Sequence, residues 1–295
     1  MLKRTLVGGC VLAVTLGAWW IDSSRPGDPA WATASLGVVL TLGALWELLK
    51  MGGVGGAVRP VTMLAGVAWV ALGSVNGLEQ GALPSGLDGL RNLPFGGPLH
   101  MASLLCGVML ASRLRWAGGG SGVGTLARNP LFALPWVCGL VALVLPLLAG
   151  RLDFVLGVVL TTKSSDIGGY FAGKLLGRHK LAPSISPKKT WEGAVGGVLL
   201  PALVGSFLLA GVDVSLPVHD GLVVHLPSAP MLAALTGAAI GVVAIISDLC
   251  ESLVKRALGC KDSGRLFGES GGFLDLADSL LLVAPVALAY TAFLA

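Results

Sequence analysis

Residues 229–256 read APMLAALTGAAIGVVAIISDLCESLVKR, and this run decides the fold. No charged residue precedes Asp248 in it, and a helix needs about 20 mostly apolar residues to span a bilayer. The end of the run turns polar, so we expect this helix to project beyond the bilayer. The whole chain has a mean hydropathy of +0.83 and 12% charged residues, against about 25% in soluble domains. These values predict a membrane protein.

Eight further apolar runs occur in the 295 residues. The nine runs lie near residues 5–22, 33–50, 61–79, 97–114, 131–149, 152–173, 190–211, 229–256 and 275–294. They predict an all-α fold, a polytopic transmembrane helical bundle of about nine spans. Lys163 and Asp166 interrupt the sixth run, so its boundary is the hardest to place.

The distribution of basic residues predicts which side of the membrane each loop faces. If the spans alternate, 16 of the 20 lysines and arginines lie on the side of the N-terminus, while Arg25, Arg91 and Arg151 lie opposite and Lys163 lies within a span. Because basic residues collect in cytoplasmic loops, the N-terminus is predicted to be cytoplasmic. Asp22-Ser-Ser-Arg-Pro follows the first apolar run in place of a small-residue cleavage site, so we expect that run to be a retained helix.

The chain is predicted to be a single integral membrane unit with two parts. Residues 1–150 would form about five spans with a scaffold or dimer role. Residues 151–295 would form about four spans with cytoplasmic loops, and most of the polar residues lie here. The five cysteines are scattered without a CxxC pair, which argues against a zinc site or a disulfide framework.

The first polar stretch, KSSDIGGYFAGKLLGRHKLAPSISPKKTWEG, covers residues 163–193. An acidic side chain inside a bilayer is costly, so Asp166 is a candidate functional residue. The alternative is a structural pair with Lys163, three residues earlier on the same helix face. Gly168, Gly169 and Gly173 are expected to form a small face that allows close helix packing.

The end of this stretch is predicted to open the seventh helix, with Ser186 or Thr190 as its cap. Free backbone N–H groups at a helix start, next to Lys188 and Lys189, would form a phosphate site. Contact of this basic loop with anionic lipid headgroups is an equally good interpretation.

The second polar stretch covers residues 247–279. Asp248, Glu251, Ser252 and Lys255 stand at i, i+3, i+4 and i+7, which predicts one helix face. A glycine-rich loop that carries charged residues follows, and two aspartates three residues apart begin the last helix. These residues are Lys261, Asp262 and Arg265 in the loop and Asp275 and Asp278 in the helix.

Asp248, Asp275 and Asp278 are therefore expected to converge at the cytoplasmic surface of the membrane. Hard oxygen ligands beside basic side chains suit Mg²⁺ bound to a polyphosphate. A salt-bridge network between the last two helices and an ion or proton pathway are the alternatives.

The two stretches resemble the CTP:phosphatidate cytidylyltransferases, the CDP-diacylglycerol synthases, over about 120 C-terminal residues. The signature of that family reads S-x-x-K-R-x-x-x-x-K-D-x-[GSA], then P-G-H-G-G, an apolar residue and x-D-R-x-D. The matching residues are Ser252, Lys255, Arg256, Lys261, Asp262, Gly264, Gly271, Gly272, Asp275 and Asp278. Upstream, the family's D-x-G-A-Y-x-x-G and K-L-A-P-x-x-S-P-x-K-T-W-E-G are matched by Asp166, Gly168, Tyr170, Gly173, Lys180 to Pro183, Ser186, Pro187 and Lys189 to Gly193.

The resemblance implies the reaction CTP + phosphatidate → CDP-diacylglycerol + pyrophosphate in phospholipid biosynthesis. It implies Mg²⁺ and, near the same acids, a second monovalent cation such as K⁺. The implied catalytic residues are Asp248, Asp275, Asp278, Lys255 and Lys261, with the three aspartates as metal ligands. The implied substrate-binding residues are Asp166, Ser186, Lys188, Lys189, Thr190, Ser252, Arg256, Asp262 and Arg265. The resemblance also implies a homodimer in the bacterial inner membrane, with a cytoplasmic active site and no nucleic-acid partner.

The chain departs from the signature at two places. Gly268-Glu269-Ser270 stands where the family has P-G-H, and Leu276 stands where it has arginine. The changes remove a histidine and an arginine that would contact phosphate, and Arg265 would be the nearby replacement for the charge. Three other functions therefore stay open: a CTP-dependent lipid or polyprenol kinase, an ion-coupled transporter, and an inactive homologue that binds lipid or nucleotide.

Overall fold

The computed structural model describes residues 2–24, 30–75, 96–114, 122–148, 152–209, 214–218, 222–226, 230–267 and 271–294. Most of these residues are helical. The helices are α1 (Leu2–Ser23), α2 (Trp31–Met51), α3 (Val58–Val75), α4 (Gly96–Leu114), α5 (Val123–Arg128), α6 (Pro130–Cys138), α7 (Val144–Leu148), α8 (Leu152–Leu176), α9 (Trp191–Leu208), α10 (Pro230–Ala257), α11 (Phe273–Ala277) and α12 (Leu280–Leu294). A 3₁₀ segment, Gly139–Leu143, joins α6 to α7.

A helical segment lies in each of the nine predicted runs. Within the described ranges, three helices are long and apolar enough to cross a bilayer: Trp31–Met51, Trp191–Leu208 and Pro230–Ala257. Shorter apolar helices cover Val58–Ala71, Ala102–Arg113 and Pro130–Leu143. The molecule is thus a helical membrane protein, while the number of nine spans and the cytoplasmic N-terminus remain predictions.

The all-α prediction needs a correction, because two short antiparallel hairpins are present. Strand β1 (Lys180–Ala182) pairs with β2 (Ser186–Thr190), and β3 (Val214–Val218) pairs with β4 (Leu222–Leu226). The residues from Ser186 to Thr190 therefore form a strand and not the start of a helix. Of the two predicted caps it is Thr190 that caps α9, since its Oγ1 accepts a hydrogen bond from Gly193 N at 3.1 Å.

The last predicted helix is broken. Asp275 lies in α11, but Asp278 is the residue at which α11 ends, and α12 begins only at Leu280. Ser247 on α10 stabilises the break, because its hydroxyl donates to the carbonyl of Asp278 and accepts from Leu282 N at 3.2 Å. The two aspartates consequently do not share one continuous helix face.

Helices α8, α9 and α10 pack along a seam of glycines. A Cβ atom on Gly168 would clash with the backbone of Gly196, and a Cβ on Gly241 would meet Gly197 O at 2.6 Å. Ser165 Oγ adds a hydrogen bond to Gly197 O at 2.7 Å. Small residues give such close backbone approach in membrane helices. The predicted packing role is confirmed for Gly168, whereas a Cβ on Gly169 would make only an ordinary contact with Gly193 O at 3.5 Å. The seam fixes three helices around one polar cleft.

The N-terminal helices pack on this C-terminal region through α2. Leu45, Leu48 and Leu49 of α2 are fully buried, and the helix contacts α6 on one side and α11 on another. The ring of Phe273 at the start of α11 lies over Gly43, where a Cβ atom would clash with it. Helix α2 therefore supports the segment that carries Asp275 and Asp278.

Candidate active site

A cleft of about 450 Å³ opens between α8, β2, α9 and α10. Its volume lies in the range of roughly 300–1,000 Å³ that is typical of ligand sites. It is lined by Ser165, Asp166, Gly169, Tyr170, Gly173, Lys174, Leu181, Lys188, Lys189, Thr190, Gly193, Ala194, Ile245, Asp248 and Asp278. Five residues of the predicted site besides Thr190 therefore share one cleft: Asp166, Lys188, Lys189, Asp248 and Asp278.

Each carboxylate in the cleft faces a lysine. Lys189 Nζ pairs with Asp248 Oδ2 at 2.6 Å. Lys163 Nζ pairs with Asp166 Oδ2 at 3.4 Å and with Asp278 Oδ1 at 3.6 Å. The structural pairing of Asp166 with Lys163, one of the two sequence interpretations, is present in the structure, and Asp166 also lines the cleft.

The electrostatics of the cleft favour a bound cation. Asp278 lies in the turn between α11 and α12, and its burial raises the pKa of this carboxyl group. The ammonium of Lys163 lowers that pKa, whereas the carboxylates of Asp248 and Asp166 raise it. Three acidic groups thus repel one another in this cleft, and an additional cation would relieve the repulsion.

The start of α9 forms the basic wall of the cleft. Thr190 caps the helix, and Gly193 lies in the same wall. Lys188 and Lys189 come from strand β2, immediately before the helix. Trp191 N donates to the carbonyl of His179 and Gly193 N to Thr190 Oγ1, so the positive end of the helix dipole and the two lysines attract anions here. The predicted combination of cap and lysines is present, although a strand carries the lysines.

A second polar cluster holds Asp275 apart from this cleft. Lys255 Nζ contacts Asp275 Oδ1 at 2.6 Å and Glu251 Oε2 at 2.7 Å. Asp275 Oδ2 accepts from Ser263 N at 2.8 Å and from Gly272 N at 2.9 Å, and Ser263 Oγ lies 2.6 Å from it. Burial raises the pKa of Asp275, but the hydrogen bonds from Lys255, Ser263 and Gly272 bring it below its ordinary value.

The expected convergence of three carboxylates is therefore corrected. Asp248 and Asp278 do meet, and Asp166 replaces Asp275 as the third acid in the cleft. Both oxygens of Asp275 are occupied by donors from the protein, and Lys255 is shared by two carboxylates. The metal role of Asp275 and the phosphate role of Lys255 remain predictions that this geometry does not favour.

Other predicted residues lie beside the cleft and do not line it. Ser252 Oγ lies 3.4 Å from Asp248 Oδ1, and Arg256 donates to Ile185 O at 3.3 Å and to Cys260 O at 3.1 Å. Lys261, Asp262 and Arg265 are exposed in the loop after α10, and Ser186 is half-buried in β2. Gly268-Glu269-Ser270 lies outside the described residues.

Some residues at the cleft were not among the predicted site residues: Gly169, Tyr170, Gly173 and Lys174 line it, and Lys163 pairs with two of its acids. All except Lys163 follow Asp166 at i+3, i+4, i+7 and i+8, so helical periodicity alone could have identified them. Lys163 also donates to the carbonyl of Leu276 at 3.3 Å. The cation next to the position where the family has arginine thus comes from α8, while Arg265 does not line the cleft.

The described residues define a helical membrane protein with a cleft of mixed acidic and basic side chains. Its sequence matches the cytidylyltransferase family over residues 2–294. The chain belongs to this family.

Several curated relatives match nearly the whole chain. The phosphatidate cytidylyltransferase of Brucella suis biovar 1 (strain 1330) is 35% identical over 297 residues, which cover 98% of this chain and 92% of that protein. The phosphatidate cytidylyltransferase of Pseudomonas aeruginosa is 34% identical over 289 residues, which cover 97% of this chain and 95% of that protein. The uncharacterized protein YnbB of Escherichia coli (strain K12) is 36% identical over 156 residues, 53% of this chain and 48% of that protein.

Proposed function

We propose that this protein is a phosphatidate cytidylyltransferase, which converts CTP and phosphatidate to CDP-diacylglycerol and pyrophosphate in phospholipid biosynthesis. One observation carries the proposal: Asp166, Asp248 and Asp278 share a cleft with Lys188 and Lys189 among apolar helices. The family and the names of its near full-length relatives support the same reaction.

Magnesium is part of the proposal, and the chemistry of the cleft suits it. Among the described residues, no group of three acidic, histidine or cysteine side chains forms a ready-made metal cage. Mg²⁺ does not require one, because it usually binds one or two carboxylates, several waters and the phosphates of its substrate. Asp248 and Asp278 would hold it, with Asp166 beside them. When bound, Mg²⁺ would neutralise the charge that develops on the polyphosphate.

The basic wall would bind the phosphates of CTP. Lys188 and Lys189 project from β2 next to the N–H groups at the start of α9. Lys189 is paired with Asp248 at 2.6 Å, so it is held at the cleft in reach of an incoming phosphate. Charge-assisted hydrogen bonds of this kind are stronger than neutral ones.

The phosphate of the lipid would be the attacking group. It is already anionic at neutral pH, so the protein needs no general base and acts by positioning and charge neutralisation. The outer faces of α8 and α9 expose Ile167, Phe171 and Val195 next to the cleft. Apolar side chains at that place suit the acyl chains of a phospholipid.

The proposal places the protein in a bacterial inner membrane with the cleft on the cytoplasmic side, where CTP is present. The bias of basic residues and the bacterial relatives support this location. A homodimer is proposed from the family resemblance. A second, monovalent cation such as K⁺ is also proposed from it, although the ammonium of Lys163 already lies between Asp166 and Asp278.

The test is pyrophosphate release from CTP by the purified protein in detergent with phosphatidate and Mg²⁺. Radiolabel at the α-phosphorus of CTP should enter the lipid, and label at the γ-phosphorus should not. Transfer of the γ-label would identify a kinase instead. Ion flux in liposomes without nucleotide turnover would identify a transporter, and binding without turnover would identify an inactive homologue.

Asp248→Asn should abolish transfer. Asp153→Asn is the matched control, because Asp153 is an exposed acid at the start of α8.

A further inference from the structure

Glu47 is a buried acid of α2 that lies outside both polar stretches. Its side chain is 7% exposed, and no lysine or arginine of the described residues lies within ion-pair distance of it. A buried carboxylate without a counter-ion costs free energy unless hydrogen bonds satisfy it. Its contacts therefore indicate why this position carries an acid.

Both hydrogen bonds of Glu47 come from the segment that leads to the cleft. Leu274 N donates to Glu47 Oε2 at 2.9 Å, and Ser263 Oγ lies 2.7 Å from the same oxygen and 2.6 Å from Asp275 Oδ2, so its single proton is shared between the two carboxylates. These partners are 216 and 227 positions away in the chain. One side chain of α2 thus contacts the loop after α10 and the first turn of α11.

The loop is shaped to receive this carboxylate. A Cβ atom on Gly272 would clash with both oxygens of Glu47, and a Cβ on Gly264 would meet Oε1 at 2.5 Å. One turn earlier on α2, Gly43 receives the ring of Phe273. The two helices are therefore complementary in shape. On α2, Glu47 receives the amide of Leu274 and Gly43 leaves room for the ring of Phe273 from α11.

The contact leads to the cleft through α11. Ser263, which meets Glu47, also meets Asp275 at 2.6 Å, and Asp275 lies on α11. Asp278 directly follows the same short helix and lines the cleft with Asp248. A shift of α11 would move the carboxylate of Asp278, and a displacement of about 1 Å at a reacting centre can cost about a hundredfold in rate.

We propose that Glu47 is a positioning residue of the active site, which acts through Ser263 and Leu274 to hold α11 and so to place Asp278 in the cleft. Its role rests on the proposed cytidylyltransferase activity. The residue makes no contact with the cleft itself, so it acts on the rate and on the metal requirement and not on substrate binding.

The experiment compares Glu47→Gln and Glu47→Ala with Thr41→Val in the full-length protein. Thr41 is the matched control, because it is also buried on α2 and, among the described residues, its hydroxyl bonds the carbonyl of Gly37 in the same helix. For the Glu47 variants we expect kcat to fall about ten- to a hundredfold, with a higher Mg²⁺ concentration at half-maximal rate. KM for CTP should change far less. Thr41→Val should match the wild type in kcat, in the Mg²⁺ requirement and in KM for CTP.

A double variant tests whether Glu47 acts through Ser263. If Glu47 acts through Ser263, then Glu47→Gln combined with Ser263→Ala should be no slower than the worse single variant, since coupled residues are not additive. Additive losses, or folded Glu47 variants with an unchanged kcat and Mg²⁺ requirement, would overturn the proposal.

Hydrogen exchange tests the positioning role of Glu47 independently of the proposed cytidylyl transfer. The amide of Leu274 should exchange faster in Glu47→Ala than in the wild type or in Thr41→Val, whatever the protein catalyses. Faster exchange with no cytidylyl transfer by the wild type would refute the reaction and keep the positioning of α11. Unchanged exchange would refute the positioning role even in an active enzyme.

Discussion

Lys163 Nζ on α8 donates a hydrogen bond to Ser279 Oγ at 2.9 Å, although 116 positions separate the two residues. The same ammonium reaches the carbonyl of Leu276 at 3.3 Å and the carboxylates of Asp166 and Asp278. It therefore has two effects on the cleft. It ties the break between α11 and α12 to α8, and it supplies a positive charge between two acids.

Replacing Lys163 by methionine should separate these effects. Removal of the charge leaves Asp166 and Asp278 uncompensated, so Mn²⁺ used as a probe for Mg²⁺ should bind severalfold more tightly. Loss of the bonds to Leu276 and Ser279 should at the same time lower kcat by about tenfold or more. Electron paramagnetic resonance measures the first effect, and transfer of the α-label from CTP measures the second.

Lys50→Met is the control, because Lys50 is exposed at the end of α2. Unchanged or weaker Mn²⁺ binding in Lys163→Met would contradict the first expectation.

Metal dependence distinguishes the two clusters of carboxylates. Asp248→Asn and Asp278→Asn should raise the Mg²⁺ requirement more than about tenfold, because both line the cleft. Asp275→Asn should raise that requirement far less than either, because Asp275 affects the cleft only through the position of α11, and it should lower the free energy of unfolding by about 2 kcal/mol, as expected for lost hydrogen bonds to a charged group. Rates titrated with Mg²⁺ and thermal unfolding in detergent measure the two effects. A Mg²⁺ requirement raised equally by all three changes would support Asp275 as a metal ligand after all.

The contribution of Asp275 to stability should depend on pH. Hydrogen bonds from Lys255, Ser263 and Gly272 hold the pKa of Asp275 below its ordinary value in the folded protein, which is about 3.9 in an unfolded chain. Between the two pKa values the unfolded state binds more protons, so stability rises with pH there. The contribution is thus complete above about pH 5 and is lost as the pH falls through the folded pKa.

The measurement is the difference in unfolding free energy between the wild type and Asp275→Asn. We expect the difference to narrow as the pH is lowered from 7 to 3. Asp153→Asn should show a small difference at every pH, because Asp153 is exposed. A gap between wild type and Asp275→Asn that stays constant over this range would show that the ionised form of Asp275 is not the stabilising one.

Local patterns predicted the parts of the fold that depend on neighbouring residues. Long apolar runs located the helices, and the polar end of the 229–256 run located Asp248 correctly at the cleft. The cap at Thr190 and the glycine seam of α8 were also predicted, because both rest on residue type within a few positions. The hairpin before α9 was not predicted, since two short strands give too little alternation to be recognised.

Two predictions about the site were wrong because they depend on contacts between segments far apart in the sequence: the continuous last helix and the single polar face of α10. The spacing of Asp275 and Asp278 predicts one face only if the helix is continuous, and the break is held by Ser247 on another helix. On α10, residues three positions apart differ by about 60° in direction. Asp248 therefore faces Lys189 while Glu251 faces Lys255. The polar residues that the sequence places on one face of α10 thus belong to two separate clusters, the cleft and the cluster around Asp275.

The last prediction concerns Lys255, which the sequence assigns to substrate phosphate and the structure pairs with Glu251 and Asp275. Glu251 is 0% exposed and Lys255 is 13% exposed. Removing one partner of a buried pair leaves an uncompensated charge and costs about 3–5 kcal/mol, so Lys255→Met should be strongly destabilised in detergent. Addition of Glu251→Gln removes that charge, so the double variant should be more stable than Lys255→Met alone.

The recovery should be partial, because Asp275 has also lost its contact with Lys255 at 2.6 Å. Lys50→Met is the matched control, as an exposed lysine outside the cleft whose loss should change the free energy of unfolding by less than about 0.5 kcal/mol. The kinetics of the double variant then decide between the two roles of Lys255. If the lysine only joins α10 to α11, KM for CTP stays close to the wild-type value below the unfolding temperature. A large rise in KM in the folded double variant would mean that Lys255 leaves its two carboxylates to bind the nucleotide.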